Sequence, residues 1–334
     1  MVTVITVTYG NRWDYLRQVL ESIHTNELVD KIIVVDNGTA YEVSSKINVQ
    51  LGKVTVLRSS SNDGSAAGFR RGLEYVSQSL EEGWVLLLDD DNEIDHKSLK
   101  NLMDSWHELS EQHELLALVA MREARRYLKE AAVGVDVKYL FPLGNDCFGF
   151  DVEILIGKVM YNLIRRRKIL KKNSVRKFVE IPMAPYGGLF FHKRILSIIG
   201  FPDERYFAYA DDYEFTYRIH ARGGVIYLVS HSQVRDIEPG WINQSKRKWI
   251  SSKYLEQEDF RAYLSIRNKI YFSKKYLVTN EALFAINLFL FRSYLYLVAF
   301  LSGKLSKYKL ISRAIKEGLS GDLTNAAMET RVNS

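Results

Sequence analysis

The sequence predicts an α/β protein: a doubly wound, mostly parallel sheet with flanking helices, followed by a C-terminal helical extension. Three observations carry this. Strand-like and helix-like segments alternate four times in the first ninety or so residues, the order that builds parallel sheets from βαβ units. The run Trp84–Leu88 (WVLLL) is continuously apolar, as a strand covered on both faces should be. From Phe260 to Ser320 the pattern changes to helical stretches rich in Tyr, Phe and Lys.

Taken in order, Val2–Thr8 (VTVITVT) is β-branched throughout and reads as a buried first strand. Tyr9-Gly10-Asn11-Arg12 reads as a turn, after which Tyr15, Leu16, Val19, Leu20 and Ile23 recur at helical spacing. Lys31–Val35 (KIIVV) is a second strand, ending at Asp36-Asn37-Gly38. Asp36 suits either hydrogen bonds from a base or ribose, or an Asx turn, and spacing does not separate the two. Val54–Leu57 is a third strand and Arg58–Asp63 a polar loop. Gly64-Ser65-Ala66-Ala67-Gly68 then opens a helix through Tyr75 and Val76. Its unpaired first amides suit an anion, although a simple tight turn is the commoner use of such residues.

Trp84–Leu88 runs straight into Asp89, Asp90 and Asp91. Ligands of open α/β sheets bind outside the carboxyl ends of the strands, so three carboxylates are delivered to that rim. Adjacent like charges repel, and a divalent cation with hard oxygen ligands relieves the repulsion. The alternative is a solvated acidic turn, with Asp95 capping the helix His96–Leu102. Leu115–Met121 reads as another strand. Residues 122–180 lack periodicity and read largely as a loop or lid-like insertion. In Tyr186–His192 (YGGLFFH), Gly187 and Gly188 suggest a backbone that something approaches closely. Lys193–Ile199 reads as a helix. Asp211, Asp212 and Glu214 precede another helical stretch; one acid would satisfy a helix N-terminus, so three beside aromatics point to a site. Val225–Val229 is a further strand. His231 lies beyond its end, where a histidine is more often a surface residue than a ligand.

The 334 residues, 47% hydrophobic and 26% charged, suit a sizeable core. One cysteine, Cys147, excludes an internal disulfide framework and a Cys-rich zinc site. The chain begins directly in a strand pattern, without a signal-peptide profile, so cytoplasm is the expected compartment. The net charge of +6 is unevenly placed: Leu163–Lys177 carries eight basic residues and no acid, and Lys304–Lys316 five more. Such clusters attract anionic partners, but no nucleic-acid-binding motif accompanies them. Ala282–Ser302 approaches membrane-spanning length, interrupted by Asn287, Arg292 and Ser293. Arg292 at mid-bilayer would cost about a few kcal/mol. With Lys274, Lys275, Lys304 and Lys307 as flanks, a helix packed on the domain or lying at a membrane surface is expected.

Together these segments resemble glycosyltransferase family 2, with the GT-A fold, over about Val2–His231. VITVTYGNR resembles that family's first strand and uridine-contacting loop, implying donor contacts from Thr8, Tyr9, Gly10 and Arg12. The segment ending at Asp36 resembles its second strand with a nucleotide-binding acid. SNDGSAAGFRRG resembles the loop and helix beside the nucleotide sugar, implying Asn62, Gly64 and Gly68. LLLDDDN stands where the family has its DXD motif, implying Asp89 and Asp91 as metal ligands, with Asp90 on the donor side and Mn²⁺ or Mg²⁺ as cofactor. YGGLFFHKR with YADDYEFTYRI resembles the acceptor block. That implies Asp212 as general base, Asp211 and Glu214 beside it, and Gly187, Gly188 and Trp241 on the acceptor side. His231 falls where some members place a third metal ligand. Tyr263, Arg267 and Asn268 resemble an aromatic-x-x-x-Arg-Asn helix that follows the catalytic domain.

The resemblance implies a catalytic domain over 1–240, with a nucleotide-sugar half at about 1–120 and an acceptor half at about 180–240. A helical region, 241–334, follows. Many rhamnosyl-type relatives carry Asp-Gln-Asp and Glu-Asp where this chain has Asp-Asp-Asp and Asp211-Asp212. The pattern here is nearer to bacterial galactofuranosyltransferases, implying UDP-galactofuranose as donor and a glycan or lipid-linked glycan as acceptor. It fits an inverting enzyme of surface polysaccharide synthesis that makes single transfers or short distributive elongations, in contact with the inner face of the cytoplasmic membrane. A dTDP-rhamnose-dependent rhamnosyltransferase and a non-catalytic glycan-binding or scaffold module are the alternatives.

Overall fold

The computed structural model describes residues 1–47, 52–79, 82–153, 174–238 and 252–324. The chain divides into two compact units. One comprises Met1–Val137, Lys172–Phe207 and Asp211–Gly240, the other Lys138–Lys171, Ala208–Ala210 and Trp241–Ser334.

The first unit is a sheet with helices. Its elements are β1 (Val2–Gly10), α1 (Trp13–His24), β2 (Val29–Thr39), α2 (Val43–Lys46), β3 (Val54–Ser59), α3 (Gly64–Ser79), β4 (Trp84–Asp89), β5 (Asn92–Ile94), α4 (His96–Ser110), β6 (Leu116–Arg122), α5 (Arg126–Ala132), β7 (Phe178–Glu180), β8 (Leu189–His192), α6 (Ile195–Ile199), α7 (Asp211–Ala221) and β9 (Val225–Asp236). Among the described residues the strand order is β3-β2-β1-β4-β8-β6-β9-β5, with β7 also paired to β9. Strands β3, β2, β1 and β4 are parallel, as are β6 and β9. The sheet is nevertheless mixed, because β8 runs antiparallel between β4 and β6. Gly188, at φ +89°, turns the chain at the carboxyl end of β4 and sends it back through the sheet. Its N–H donates to Leu87 O (2.8 Å) and its carbonyl accepts from Ala120 N (3.0 Å).

Apolar burial explains the strand positions. Val85–Leu88 are fully buried, and parallel strands covered on both faces need such runs. Helix α3 lies close against β1 because Gly68 and Gly72 face it. A Cβ on either would come closer than 3.0 Å to Val7 or Ile5.

The second unit is helical, with α8 (Lys253–Glu256), α9 (Asp259–Phe272), α10 (Glu281–Leu301) and α11 (Leu305–Ser320). A π-helical turn, Ser273–Leu277, continues α9. Part of the span read from sequence as an insertion belongs to this unit and is packed. Asn145 Oδ1 accepts from Thr279 N (3.1 Å) and Asn280 N (2.9 Å), while its carbonyl accepts from Asn287 Nδ2 (2.8 Å). Asn287 Oδ1 in turn accepts from Val152 N (3.0 Å). Phe148 stacks on Phe291 at 4.5 Å. These are isolated tertiary contacts at irregular spacing, which leave no period to read. The loop reading of residues 122–180 therefore fails at α5, a helix, and holds for 141–152, an irregular stretch that is nevertheless packed. Residues 154–173, the heart of the basic cluster, lie outside the described residues.

In α9, Arg267 is fully buried and donates to Asn268 Oδ1 (3.0 Å) and Thr324 O (3.1 Å). Asn268 Nδ2 donates to the carbonyls of Ala208 (2.7 Å) and Tyr209 (3.0 Å). Tyr209 and Ala210 have φ of +67° and +64°, a region costly for residues with a Cβ.

Candidate active site

The carboxyl ends of β1, β4, β6 and β9 meet at an acidic corner. Asp89 ends β4 beside Val7 of β1. The chain then turns through Asp90 and Asp91 into β5, which pairs with β9 so that Asn92 faces Asp236. The three aspartates acquire different surroundings. Asp90 is buried and accepts from Thr8 Oγ1 (2.8 Å) and Arg12 Nε (2.9 Å). It ties the loop after β1 to the acidic turn. Burial holds its carboxyl above the usual range against the pull of Arg12. Asp89 accepts from Arg122 Nη1 (2.9 Å) and keeps 36% of its side chain exposed. Asp91 accepts from Asn92 Nδ2 (3.0 Å), with Arg12 Nη2 at 3.6 Å. Its pKa is pushed up to about 7, first by burial and then by Asp89 and Asp90.

Several residues at this corner escaped the sequence reading. Arg122, nine-tenths or more buried, pairs with both Asp89 and Asp236. Asp236 also accepts from Asn92 Nδ2 (3.0 Å), and Glu238 pairs with Arg12 Nη1 (3.0 Å). The only sequence signal was an arginine closing an otherwise apolar strand, LALVAMR. Asp236 was hidden because β9 runs seven residues beyond the expected end at Val229, drawn on by its pairing with β5. Five carboxylates thus face two guanidinium groups, leaving three formal negative charges. This hard-oxygen donor set fits a divalent cation. Among the described residues no three His, Cys, Asp or Glu side chains form a ready-made cage; Asp89 and Asp91 are the residues that would hold a cation here.

Gly187 backs onto this corner. A Cβ there would fall closer than 3.0 Å to Asn92 Oδ1, Arg122 Nη1 and Asp89 Oδ2. Gly188 supplies the turn described above.

His231 does not join the aspartates. It is exposed, its carbonyl accepts from Asn101 Nδ2 (2.6 Å), and its Nε2 lies 3.4 Å from Ser105 Oγ on α4. The expectation of a histidine metal ligand is corrected: the β9 bulge between Val229 and Gln233 turns it toward α4. Asp236, five residues later, reaches the corner instead.

Around β2, Asp36 is fully buried. Its Oδ1 accepts from Thr39 N (2.9 Å), closing a turn, while Oδ2 has no hydrogen-bond partner and Arg58 Nε stands 3.7 Å away. Asn62 Oδ1 accepts from Gly64 N (3.0 Å) and from Asn37 Nδ2 (3.2 Å), so its amide shapes the loop. Tyr9 is 48% exposed and lies against Arg12, whose guanidinium is 5.5 Å from its ring centre. Gly10 has φ +57° with open space at its Cβ position.

The glycines of α3 serve packing. Gly64, at φ +87°, has no room for a Cβ beside Phe207, and Gly68 rests on Val7. The start of α3 is occupied by the protein itself. Ala66 N donates to Phe207 O (3.1 Å) and Ser65 Oγ to Asp211 Oδ2 (2.8 Å). Asp211 and Asp212 open α7. Burial raises both carboxyls above the usual range; the charge of Asp212 adds to the rise at Asp211, and Asp89 acts in the same direction on Asp212. Asp212 Oδ1 accepts from Tyr213 N (2.8 Å). Glu214 points elsewhere. It is buried against Arg218 (3.2 Å), whose guanidinium also donates to Phe201 O (2.8 Å). It fastens α7 to the loop after α6. Trp241 lies outside the described residues.

Residues 3–131 match the family model described as Glycosyl transferase family 2. No curated protein matches the sequence. The chain superimposes on the crystal structure of GalNAc-T7 with UDP, GalNAc and Mn²⁺ with a TM-score of 0.53 at 16% identity, covering 82% of this chain and 47% of that one. It therefore spans about half the length of that protein. It also superimposes on the mannosyltransferase PcManGT from Pyrobaculum calidifontis in complex with GDP-Man and Mn²⁺, with a TM-score of 0.52 at 12% identity, covering 99% and 79% of the two chains. Residues 3–131 are thus similar to glycosyl transferase family 2, and the chain has the GT-A fold of these two structures.

Proposed function

We propose that this chain transfers a sugar from a nucleotide-sugar donor to a hydroxyl of a glycan or lipid-linked glycan, with inversion and with a divalent cation. The observation that carries the reading is the excess of carboxylates at the corner. A site with three more carboxylates than guanidinium groups disfavours a diphosphate unless a cation intervenes. Neighbours of the same fold were crystallised with UDP and Mn²⁺ or with GDP-Man and Mn²⁺, which supports this chemistry.

Asp89 and Asp91 hold the cation, with Asp236 the third carboxylate at hand. When bound, the cation neutralises charge growing on the leaving diphosphate, worth about several kcal/mol. Arg12 and Thr8 fix Asp90 and so the shape of the turn. Asp36, with one carboxylate oxygen free of hydrogen bonds, accepts from the base or ribose. Asp212 takes the proton of the attacking hydroxyl, a role worth about 10²–10⁴-fold. Burial and the charge of Asp89 keep the Asp212 carboxyl basic, and Asp211 is held beside it by Ser65. UDP-galactofuranose is the favoured donor, on the motif pattern alone.

The test is release of nucleoside diphosphate from UDP-galactofuranose, UDP-galactopyranose, UDP-glucose and dTDP-rhamnose, with Mn²⁺ or with EDTA. Cation-dependent turnover of one donor is expected. Turnover of dTDP-rhamnose alone would make the chain a rhamnosyltransferase. No turnover and no donor binding by calorimetry would leave a non-catalytic module.

A further inference from the structure

Helix α10 is inside-out for a helix at a protein surface. Its buried side, along Phe284, Leu288, Phe291, Leu295 and Val298, contains the helix's buried asparagine, Asn287, clamped by Asn145 and Val152. Its exposed side carries Ile286, Phe289, Leu290, Leu297, Phe300 and Leu301, with Phe289 67% and Phe300 60% exposed. At about 100° per residue these six fall on one arc opposite the buried residues, and Ser293 is the polar side chain within it. Of the fifteen large hydrophobics exposed among the described residues, nine lie between Ile286 and Leu305. Contiguous exposed apolar surface on this scale marks an interaction site.

We propose that this face of α10 lies in the headgroup region of an anionic lipid bilayer. A spanning placement would put Arg292, near the middle of α10, at the bilayer centre at a cost of about 3 kcal/mol. Two observations select lipid over a second copy of the chain. Glu281–Ser320 carries six cations and two anions, and Arg292, Lys309 and Lys316 are exposed without an ion pair among the described residues. An isologous contact would set such charges against each other, whereas an anionic surface attracts them. Tyr294 and Tyr296, both on the exposed side, add the amphipathic rings that favour the boundary between headgroups and acyl chains. Tyr296 packs edge-on against Tyr308 at 5.4 Å, which brings the first turn of α11, with Lys309 next in sequence, beside the apolar face.

The test is flotation of the full chain with vesicles of phosphatidylcholine alone or with one third phosphatidylglycerol. Binding to the anionic vesicles, weakened by salt, is expected. Phe289→Asp with Phe300→Asp should lower it about tenfold or more, leaving melting temperature and oligomeric state unchanged. Lys309→Glu with Lys316→Glu should lower binding to anionic vesicles and leave any binding to neutral ones. Absence of vesicle binding by the parent overturns the proposal. So does an aspartate variant that floats as well as the parent; if it also changes from dimer to monomer, a second copy of the chain covers the face.

Discussion

Replacing Arg122 by Met removes the cation bridging Asp89 and Asp236 and leaves an apolar chain of similar length in a nearly closed space. Deleting one partner of a buried ion pair costs about 3–5 kcal/mol, because the remaining charge is stranded. Here the two arms differ. The Asp89 side chain is 36% exposed and that of Asp236 10%, so solvent screens the first arm and the second dominates. The lower figure, about 3 kcal/mol, applies. For a unit of this size each kcal/mol moves the melting temperature by about 2–4 °C, so in EDTA the variant should melt roughly 6–12 °C below the parent. A divalent cation replaces part of the missing positive charge. At a hundred times its dissociation constant it contributes about 2.7 kcal/mol, and the variant, with one more negative charge at the corner, should bind it more tightly than the parent. Thermal unfolding with EDTA and with saturating Mn²⁺ reads both effects. A variant within about 2 °C of the parent in EDTA, or equal Mn²⁺ stabilisation of both proteins, would refute the reasoning.

Gly187→Ala should lower both turnover and stability, by about 1–3 kcal/mol in the latter, because Asn92, Arg122 and Asp89 must all move; an unchanged rate and melting curve would show that the corner yields freely. Asp212→Asn should reduce transfer about 10²–10⁴-fold with donor affinity retained, measured by calorimetry beside turnover. Since burial raises the Asp211–Asp212 pair, protons return to it at higher pH than to a free carboxylate. The acid limb of kcat/KM should therefore fall nearer neutrality than about pH 4. Glu214→Gln should destabilise the protein while leaving kcat within about threefold, because Glu214 faces Arg218; a loss as large as that of Asp212→Asn would return it to the catalytic set. His231→Ala should leave the Mn²⁺ dependence of turnover unchanged, and a raised Mn²⁺ requirement would restore it as a ligand.

The sheet was legible because its strands are apolar on both faces: Val2–Thr8, Lys31–Val35 and Trp84–Leu88 all lie within strands. The acidic turn was legible because a buried run ended in like charges. Strand direction was not, since Leu189–His192 reads the same either way and only the Gly188 turn reverses it. The partners of the aspartates were equally hidden. Arg122 and Asp236 are 114 residues apart and meet through the pairings of β6, β9 and β5, which no local period encodes. His231 misled because a one-dimensional distance from the strand end ignores the bulge that rotates it away. For Gly64 and Gly68 the sequence showed a close approach but not its partner, which in the structure is Phe207 and Val7.

The hydrogen bonds from Asn268 to the carbonyls of Ala208 and Tyr209 bear on where the protein can be cut. By sequence, a shortened chain ending near residue 240 would keep every carboxylate discussed above. Yet Ala208–Ala210 group with the helices of the C-terminal region, and they are bonded directly to Asp211. Such a truncation would strip two carbonyls of their shared donor at a stretch already holding left-handed backbone angles, immediately before the acid pair. Asn268→Ala in the whole chain would impose the same loss with every helix retained. The shortest active fragment should therefore extend through α9, more than thirty residues past the apparent end of the sheet.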